Sequence, residues 1–175
     1  MKLKVVDIKS PILRRKAKVV QRVDKKILQF ISDMKETLTE QKDPEGVGLA
    51  APQVGKSLRI FIMDYGQYKM MAVINPVVLD RSEKKSVKKT KDEKILEGCL
   101  SMPHYYGPVK RHDGIKIQFL NEEGSIQVKS FRGFPAQIVG HEIDHLEGIL
   151  FIDHILTQKS KLYEIHDSEV EEIEI

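Results

Sequence analysis

Near its N terminus the chain has a stretch in which apolar residues recur at the spacing of an α-helix. Ile27, Ile31, Met34 and Leu38 fall on one side of such a helix, and Asp24 stands where an N-capping side chain is favoured. Lysines and acidic residues fill most of the other positions, which is typical of a solvated helix face. The pattern therefore predicts an N-terminal amphipathic helix that packs on the core.

A second helix is predicted late in the chain, and it is apolar around most of its circumference. Pro135 suits the first helical turn, and Gly148 suits the helix stop. Val139, Ile143 and Leu146 cluster on one side. This late helix is therefore expected to be central and buried.

The other regular pattern is that of β-strands. Two predicted strands, Leu58–Asp64 and Met71–Leu79, are rich in apolar residues, and the second contains an Asn-Pro pair that suits a bulge or a sheet edge. Two more, Ile115–Leu120 and Ile126–Phe131, alternate apolar and polar residues on either side of an Asn-Glu-Glu-Gly turn. Residues 149–152 form only a short apolar segment. Together these elements predict an α+β fold in which antiparallel or mixed β-sheets pack around the late helix.

Length and charge add little to this picture. At 175 residues we expect one catalytic domain, residues 1–163, followed by an acidic tail, residues 164–175. The tail has six acidic residues and no lysine or arginine, so we expect it to be poorly ordered or held by a partner. The net charge of +3 gives no reason to expect DNA binding. With no signal peptide and no long apolar run, we expect a cytoplasmic protein without a membrane partner.

Residues 141–145 of the late helix read His-Glu-Ile-Asp-His. Two imidazoles four residues apart stand on one helix face and can hold one metal ion, whereas Glu142 lies about 100° around the helix from His141. In the H-E-x-x-H pattern this glutamate acts as general base on a water molecule at the metal. The alternative is an exposed, charged helix face, but buried histidines need a partner, and a metal ion would meet that need. His141 and His145 are therefore predicted metal ligands.

Two other segments offer polar groups to the same site. The loop 46–55 is so rich in glycine and alanine that Gln53 is its one directional polar side chain, and a tight apolar connection is the alternative interpretation. Cys99, the single cysteine, lies in a predicted turn and is the natural third ligand. A cysteine with two histidines suits Fe(II), Zn(II), Ni(II) or Co(II). An aspartate or glutamate elsewhere in the chain is the alternative third ligand.

Taken together, these segments resemble the sequence motifs of the peptide deformylases. The motifs stand here, in the family's order, as Gly46–Gln53, Glu97–Ser101 and Gly140–His145. The resemblance extends from about residue 11 to residue 154. Three motifs in order within one domain make it specific.

The resemblance implies a hydrolase that removes the formyl group from the N-terminal formylmethionine of nascent peptides, with Fe(II) as the native metal. It also implies that Glu142 transfers the proton, and that the Gln53 side-chain amide and the Leu100 backbone N–H stabilise the oxyanion. One position departs from the family, because Gly140 stands where the family has glutamine. Its helix angle points away from the metal, so we expect a local packing change and about 1 kcal/mol of lost helix propensity.

The substrate's methionine side chain requires an apolar pocket. The candidate substrate-binding residues lie in or beside the motifs, or share the metal-facing side of the helix: Val47, Gly48, Ile95 and Ile138. The ribosome is the expected source of nascent chains, and the loop 80–94, with seven basic residues against four acidic ones, is the expected contact. This basic loop is predicted to be mobile, and the acidic tail would repel RNA phosphates.

Two other classes of protein share part of the pattern. A zinc endopeptidase would take its third ligand downstream, where Asp153 and His154 are the nearby candidates, and would leave Cys99 unused. A non-enzymatic metal-binding module would have no purpose for an open coordination position or for the Gln53 loop. Metal titration of a Cys99→Ala variant distinguishes the endopeptidase from the deformylase.

Overall fold

The computed structural model describes residues 1–42, 45–64, 70–86, 96–166 and 169–174. Within these ranges the chain forms helices α1 (Lys25–Thr39), α2 (Phe134–Glu147) and α3 (Phe151–Gln158). The strands of the same ranges are β1 (Gly48–Ala50), β2 (Ile60–Met63), β3 (Met71–Arg81), β4 (Lys85–Ser86), β5 (Glu97–Cys99), β6 (Met102–Gly107), β7 (Arg111–His112), β8 (Gly114–Leu120), β9 (Ile126–Arg132), β10 (Leu162–His166) and β11 (Glu169–Ile173).

These strands form antiparallel sheets, which makes the protein a mixed α+β fold. Five strands pair in the order β1-β2-β3-β8-β9, four in the order β11-β10-β6-β5, and β4 pairs with β7. The register of β3 against β8 shifts between Ile74 and Val77, at the predicted Asn-Pro irregularity. Asn75 has a positive φ of 52° there, and its side chain bonds the backbone N–H and C=O of Val20. Those two bonds hold a backbone conformation that asparagine tolerates better than most residues.

The helix α1 begins at its predicted cap. The Asp24 carboxylate accepts hydrogen bonds of 3.0 Å from the backbone N–H groups of Lys26 and Ile27, which have no partner inside the helix. Its buried side chains, Ile31 and Met34 among them, belong to a core cluster with residues of β1, β2 and β3. Burial of one helix face on this sheet holds α1 in place.

The helix α2 contacts β1, β2, β7, β8 and β9 as well as the N-terminal segment. Val139, Ile143 and Leu146 are buried in a cluster with apolar side chains of the five-stranded sheet. The helix ends at Gly148, whose φ is +78°, and a Cβ there would lie 2.8 Å from the Arg14 backbone. A helix packed on so many elements has few exposed positions, and its polar residues are forced to find partners inside the protein.

The acidic tail, expected to be poorly ordered or held by a partner, pairs with the rest of its own chain as a β-hairpin instead. The hairpin of β10 and β11 adds to β6, and the proposed boundary after residue 163 falls inside β10. Leu162 is buried beside Ile155, and Ile173 packs against the same cluster. Composition misled the prediction, because a few apolar positions and a backbone ladder are enough to fix a strand whose glutamates point to water.

Two other segments are more regular than the sequence indicated. The segment after α2 continues into α3, of which the sequence indicated only an apolar start. Part of the basic loop 80–94 is regular, since residues 80–81 end β3 and residues 85–86 pair with β7. Residues 87–94 and Ile95 lie outside the described residues.

In the described part of the chain, no helix is both long enough and apolar enough to cross a membrane.

Candidate metal and catalytic site

Cys99, His141 and His145 lie together, and the first two line a pocket. The Cys99 Sγ is 3.3 Å from the His145 Nε2, which is 3.1 Å from the His141 Nε2. All three ligand atoms lie within 4.8 Å of one another, and all three residues are buried. This is the cluster of possible metal ligands that the described residues contain.

Local structure explains how these side chains meet. Four residues separate the histidines in α2, so both imidazoles leave one face of the helix. Cys99 ends β5, where the register against β6 shifts, and this irregularity precedes the turn at residues 100–101. The cysteine was predicted in a turn, and the structure places it at the strand end that leads into one.

The orientation of His141 is set by a buried carboxylate. The His141 Nδ1 lies 2.8 Å from the Glu97 Oε1, and Glu97 also accepts two bonds of 2.6 Å from the Arg111 guanidinium. Burial alone would raise the pKa of Glu97, but the charge and hydrogen bonds of Arg111 and the bond from His141 hold it well below its usual range. The carboxylate therefore accepts the Nδ1–H of His141, which leaves the Nε2 directed at the cluster.

The same arginine continues the network away from the cluster. Arg111 donates to the Asp144 carboxylate at 2.8 Å, and Asp144 also bonds the His154 Nε2 at 2.7 Å. Arg111 and Glu97 are only 8% and 5% exposed. Sequence reasoning missed both positioning roles. Glu97 stood in a recognised motif, whereas no local signal connects an arginine on another strand with the helix.

Burial raises the pKa of the Cys99 thiol, but the neighbouring imidazoles outweigh it. The charge of His145 and hydrogen bonds to His141 and His145 lower this pKa to about 5. A thiol with such a pKa is ionised at neutral pH. The thiolate is the form in which cysteine binds a metal.

Glu142 lies beside the cluster and has an unsatisfied oxygen. The residue is 3% exposed, and no described group bonds its Oε2. Burial raises the pKa of this carboxyl to about 7, even though the charges of His141 and His145 act in the other direction. A carboxyl that titrates near neutral pH is suited to accept a proton and to give it back.

Gly48 allows Glu142 to sit where it does. A Cβ at this position would lie 2.3 Å from the Glu142 Oε1, so any other residue would displace the carboxylate. Gly48 also lines the pocket, as predicted for a substrate-binding residue. The close approach is one physical reason for the small residues of this loop.

Gln53 is fixed by its own backbone surroundings. Its Oε1 accepts a 2.8 Å hydrogen bond from the Ala50 N–H, which determines which end of the amide faces the site. The Nε2 then points to the Cys99 Sγ at 3.4 Å and the Ser101 Oγ at 3.5 Å. The structure therefore places an amide donor at the edge of the ligand cluster.

The pocket above the cluster has a volume of about 210 Å³. Of the predicted substrate-binding and oxyanion residues, Val47, Gly48, Leu100 and Ile138 line it, and Ile95 lies outside the described residues. The sequence did not indicate that apolar and aromatic residues of β6 and α2 complete the wall: Met102, Tyr106 and Phe134. A mostly apolar wall over a polar floor suits an apolar side chain attached to a polar reacting group.

The downstream ligands of an endopeptidase site lie elsewhere. His154 bonds Asp144, and Asp153 pairs with Arg14 and accepts the Leu150 N–H at the start of α3. Neither belongs to the cluster that could hold a metal. The ligand set of that rival class is therefore wrong for this chain.

The comparisons with known proteins agree with this geometry. The sequence model described as polypeptide deformylase matches residues 2–161. The chain belongs to this family. A peptide deformylase of Pseudothermotoga lettingae is 42% identical over 146 residues, which cover 83% of this chain and 78% of that protein. One of Dictyoglomus turgidum is 38% identical over 91% of this chain and 97% of its own length.

Solved structures of the family superpose on the fold. The crystal structure of the peptide deformylase from Thermotoga maritima matches with a TM-score of 0.80 and 36% identity, over 88% of this chain and 97% of that one. A peptide deformylase from Synechococcus elongatus, solved in complex with actinonin, matches with a TM-score of 0.77 and 32% identity, over 87% and 78% of the two chains. At this identity and coverage, the chain shares the fold of these structures over most of its length.

Proposed function

We propose that Cys99, His141 and His145 hold one divalent metal ion, beside which Glu142 carries out proton transfer. Membership of the peptide deformylase family gives the reaction: hydrolysis of the N-formyl group from N-terminal formylmethionine of newly made polypeptides, with release of formate. The observation that carries the residue roles is the juxtaposition of three convergent ligand atoms with a buried, unpartnered carboxylate.

The residues present fit a metal. Two imidazole nitrogens and a sulfur converge within 4.8 Å, and the bond from His141 to Glu97 presents the Nε2 of that imidazole as a ligand. A thiolate with two imidazoles suits Fe(II), Zn(II), Ni(II) and Co(II), and three protein ligands leave a position for substrate or water. The family resemblance favours Fe(II) as the native ion.

A divalent metal ion at this site would act as a Lewis acid that polarises the formyl carbonyl and lowers the pKa of water. The chain's own residues then handle the proton. Glu142 takes a proton from the attacking water and returns it to the departing amine nitrogen, so that the C–N bond breaks and formate and a free amine are released.

Charge that develops on the formyl oxygen needs donors. The Gln53 Nε2 faces the cluster, because the Ala50 N–H holds the other end of the amide, and its N–H would donate to that oxygen. We assign the backbone N–H of Leu100, which follows Cys99 and lines the pocket, as the second donor. The Gln53 amide is held before substrate arrives, so this donor would need little reorganisation during the reaction.

The pocket wall would take the methionine side chain. Val47 and Ile138 lie on the wall, and Gly48 lets the substrate backbone approach. Ile95 keeps its proposed place in this set from the sequence alone. An unbranched thioether suits an apolar pocket of this kind.

Formate release from a formyl-methionyl tripeptide tests the function. We expect protein purified anaerobically with Fe(II) to release formate, and we expect Cys99→Ala to lose both stoichiometric metal and activity. Ser101→Ala is the matched control for metal content alone, because it removes a hydroxyl on the same turn and leaves the ligand atoms unchanged. Its activity is not compared, since the Ser101 Oγ accepts from the Gln53 Nε2. Full activity with stoichiometric metal in Cys99→Ala would exclude the cysteine as third ligand.

The partner is proposed from the charge of a loop, and the location from the substrate. We assign the ribosome as the place where substrate is met, with contact through the basic loop 80–94. Its described lysines, Lys84 and Lys85, are exposed. A cytoplasmic location follows if nascent chains are the substrate.

A further inference from the structure

A second cavity of about 200 Å³ lies near the metal-ligand cluster and shares no lining residue with the pocket above it. Its walls come from β3, β4, β7, α2 and α3. Asp144 is the one acidic residue of the lining. Four lining side chains are lysine or arginine: Arg81, Lys85, Lys110 and Arg111. The proposed reaction uses none of this space.

The floor of the cavity is the Arg111 guanidinium. Its Nε and Nη2 donate to Glu97, and its Nη1 donates to Asp144. A guanidinium carries five N–H bonds, so these three leave two for another acceptor. Arg111 is thus held by two carboxylates, lines the cavity and keeps two N–H donors for a further acceptor.

Gly140 keeps the cavity open. A Cβ at this position would lie 3.4 Å from the Arg111 Nη1 and 3.5 Å from its Cδ. The glutamine that the family resemblance places here would extend further into the same space. The open space therefore depends on the absence of a side chain at position 140.

The charge of the cavity is not balanced by its own walls. Asp144 already bonds Arg111 and the His154 Nε2. In the described part of the chain, no acidic side chain pairs with Arg81, Lys85 or Lys110, and all three are exposed. The four basic side chains outnumber Asp144 and the Glu97 carboxylate bonded to Arg111 by two, and this formal charge of +2 attracts an anion.

We propose that this cavity binds a phosphate group. Phosphate oxygens match the planar donors of a guanidinium, and the three exposed basic side chains can close around the remaining oxygens. Since a water molecule occupies about 30 Å³, the space holds one small oxyanion with a few waters but excludes a large ligand. The group can belong to inorganic phosphate or to an RNA backbone, and the two sources present the same chemistry.

Phosphate titration followed by NMR tests the site. The zinc-loaded protein is titrated with inorganic phosphate at constant ionic strength, and the Arg111 side-chain Nε–H resonance is recorded. We expect this resonance to shift in a saturable way. Arg81→Ser combined with Lys110→Ser should weaken phosphate binding at least tenfold, and Gly140→Gln should abolish the shift by filling the cavity.

A matched control removes the same charge elsewhere. Lys25→Ser combined with Lys26→Ser, at the exposed start of α1, should leave the affinity within twofold of the parent. An equal loss in this control would show charge screening and overturn the proposal. Binding that survives Gly140→Gln would also overturn it, since phosphate would then be bound elsewhere, for example at the metal.

A second titration separates the two sources of phosphate. A single-stranded RNA of 12 nucleotides replaces inorganic phosphate in the same experiment. If the RNA shifts the Arg111 resonance at lower concentration than inorganic phosphate does, the cavity binds a phosphate of the RNA backbone. If only inorganic phosphate acts, the ligand is the free ion, and if neither acts, the proposal is wrong. Circular dichroism of each variant confirms that it is folded.

Discussion

Replacing Glu142 with glutamine should make the metal-free protein more stable while it makes the loaded protein inactive. The carboxyl is 3% exposed, its Oε2 has no described partner, and burial raises its pKa from 4.5 to about 7. A charged group in that position is held at a cost to the fold. The proton transfer that we propose for Glu142 requires the charged carboxylate, whereas the stability of the fold opposes it.

The direction in which stability changes with pH follows from the number of protons that the folded and unfolded states bind. Above pH 4.5 the unfolded chain releases the Glu142 proton, whereas the folded protein keeps it until about pH 7. The folded state binds more protons in this window, so its stability falls as the pH rises from 4.5 to 7 and stays reduced above 7. At about 1.4 kcal/mol for each pKa unit, the penalty above pH 7 is at most about 3 kcal/mol.

Glu142→Gln removes this penalty, because the amide has the same shape and never ionises. In chelator-treated protein at pH 8 we expect the free energy of unfolding to rise by up to about 3 kcal/mol and the Tm by roughly 6–12 °C. At pH 4.5 the two proteins should be equally stable. With Fe(II) bound, deformylation should fall by roughly 10² or more.

Glu147→Gln on the same helix is the matched control. Partial burial acts to raise the pKa of Glu147, but bonds and charge from Lys16 and Arg59 outweigh it and lower the pKa, so its contribution to stability is present above 4.5 and lost in acid. Because this carboxyl is largely solvated, the variant should lose at most about 1 kcal/mol at pH 8. Urea unfolding between pH 4.5 and 8 measures both variants. If Glu142→Gln were no more stable than the parent at pH 8, or kept activity within tenfold, the assigned burial and role of this carboxyl would be refuted.

Three other outcomes are expected. Arg111→Met leaves the buried Glu97 carboxylate without its two shortest bonds and should lower the free energy of unfolding by about 3–5 kcal/mol, as measured by urea denaturation; a loss under 1 kcal/mol would contradict this. Gln53→Leu should lower kcat for formate release by roughly 10²–10³ with unchanged metal content, and an equal loss of metal would point to a structural role instead. Ribosome pelleting in rising salt should weaken when Lys84, Lys85, Lys88 and Lys89 become serine. Binding should not weaken when three exposed C-terminal glutamates become glutamine: Glu169, Glu171 and Glu174. These substitutions remove the charge but keep the strands, which a deletion would remove.

The sequence indicated what depends on local periodicity. Two histidines four residues apart in an apolar helix must leave the same face, whatever surrounds them, so the close approach of the two imidazoles followed from spacing alone. The cap at Asp24 and the hairpin of β8 and β9 rest on short-range backbone rules as well. Such features need no knowledge of the rest of the chain.

Pairing between distant strands could not be found in this way. The hairpin of β10 and β11 carries an acid-rich sequence that has no apolar alternation strong enough to predict it. Its order comes from the ladder to β6 and from two apolar side chains at the α3 cluster. Composition reports how a segment would behave alone, whereas a strand is stabilised by its neighbour.

What the sequence by itself determined is the chemistry of the site: one cysteine, two histidines and a glutamate whose types and order point to a metal hydrolase. What only the tertiary structure decided is the state of those groups. Arg111 reaches Glu97 from another strand and fixes the His141 tautomer, and close packing of Gly48 shelters Glu142 from water. Side-chain identity is written in the chain, but pKa and orientation depend on burial and on partners many residues away, which exist only once the chain is folded.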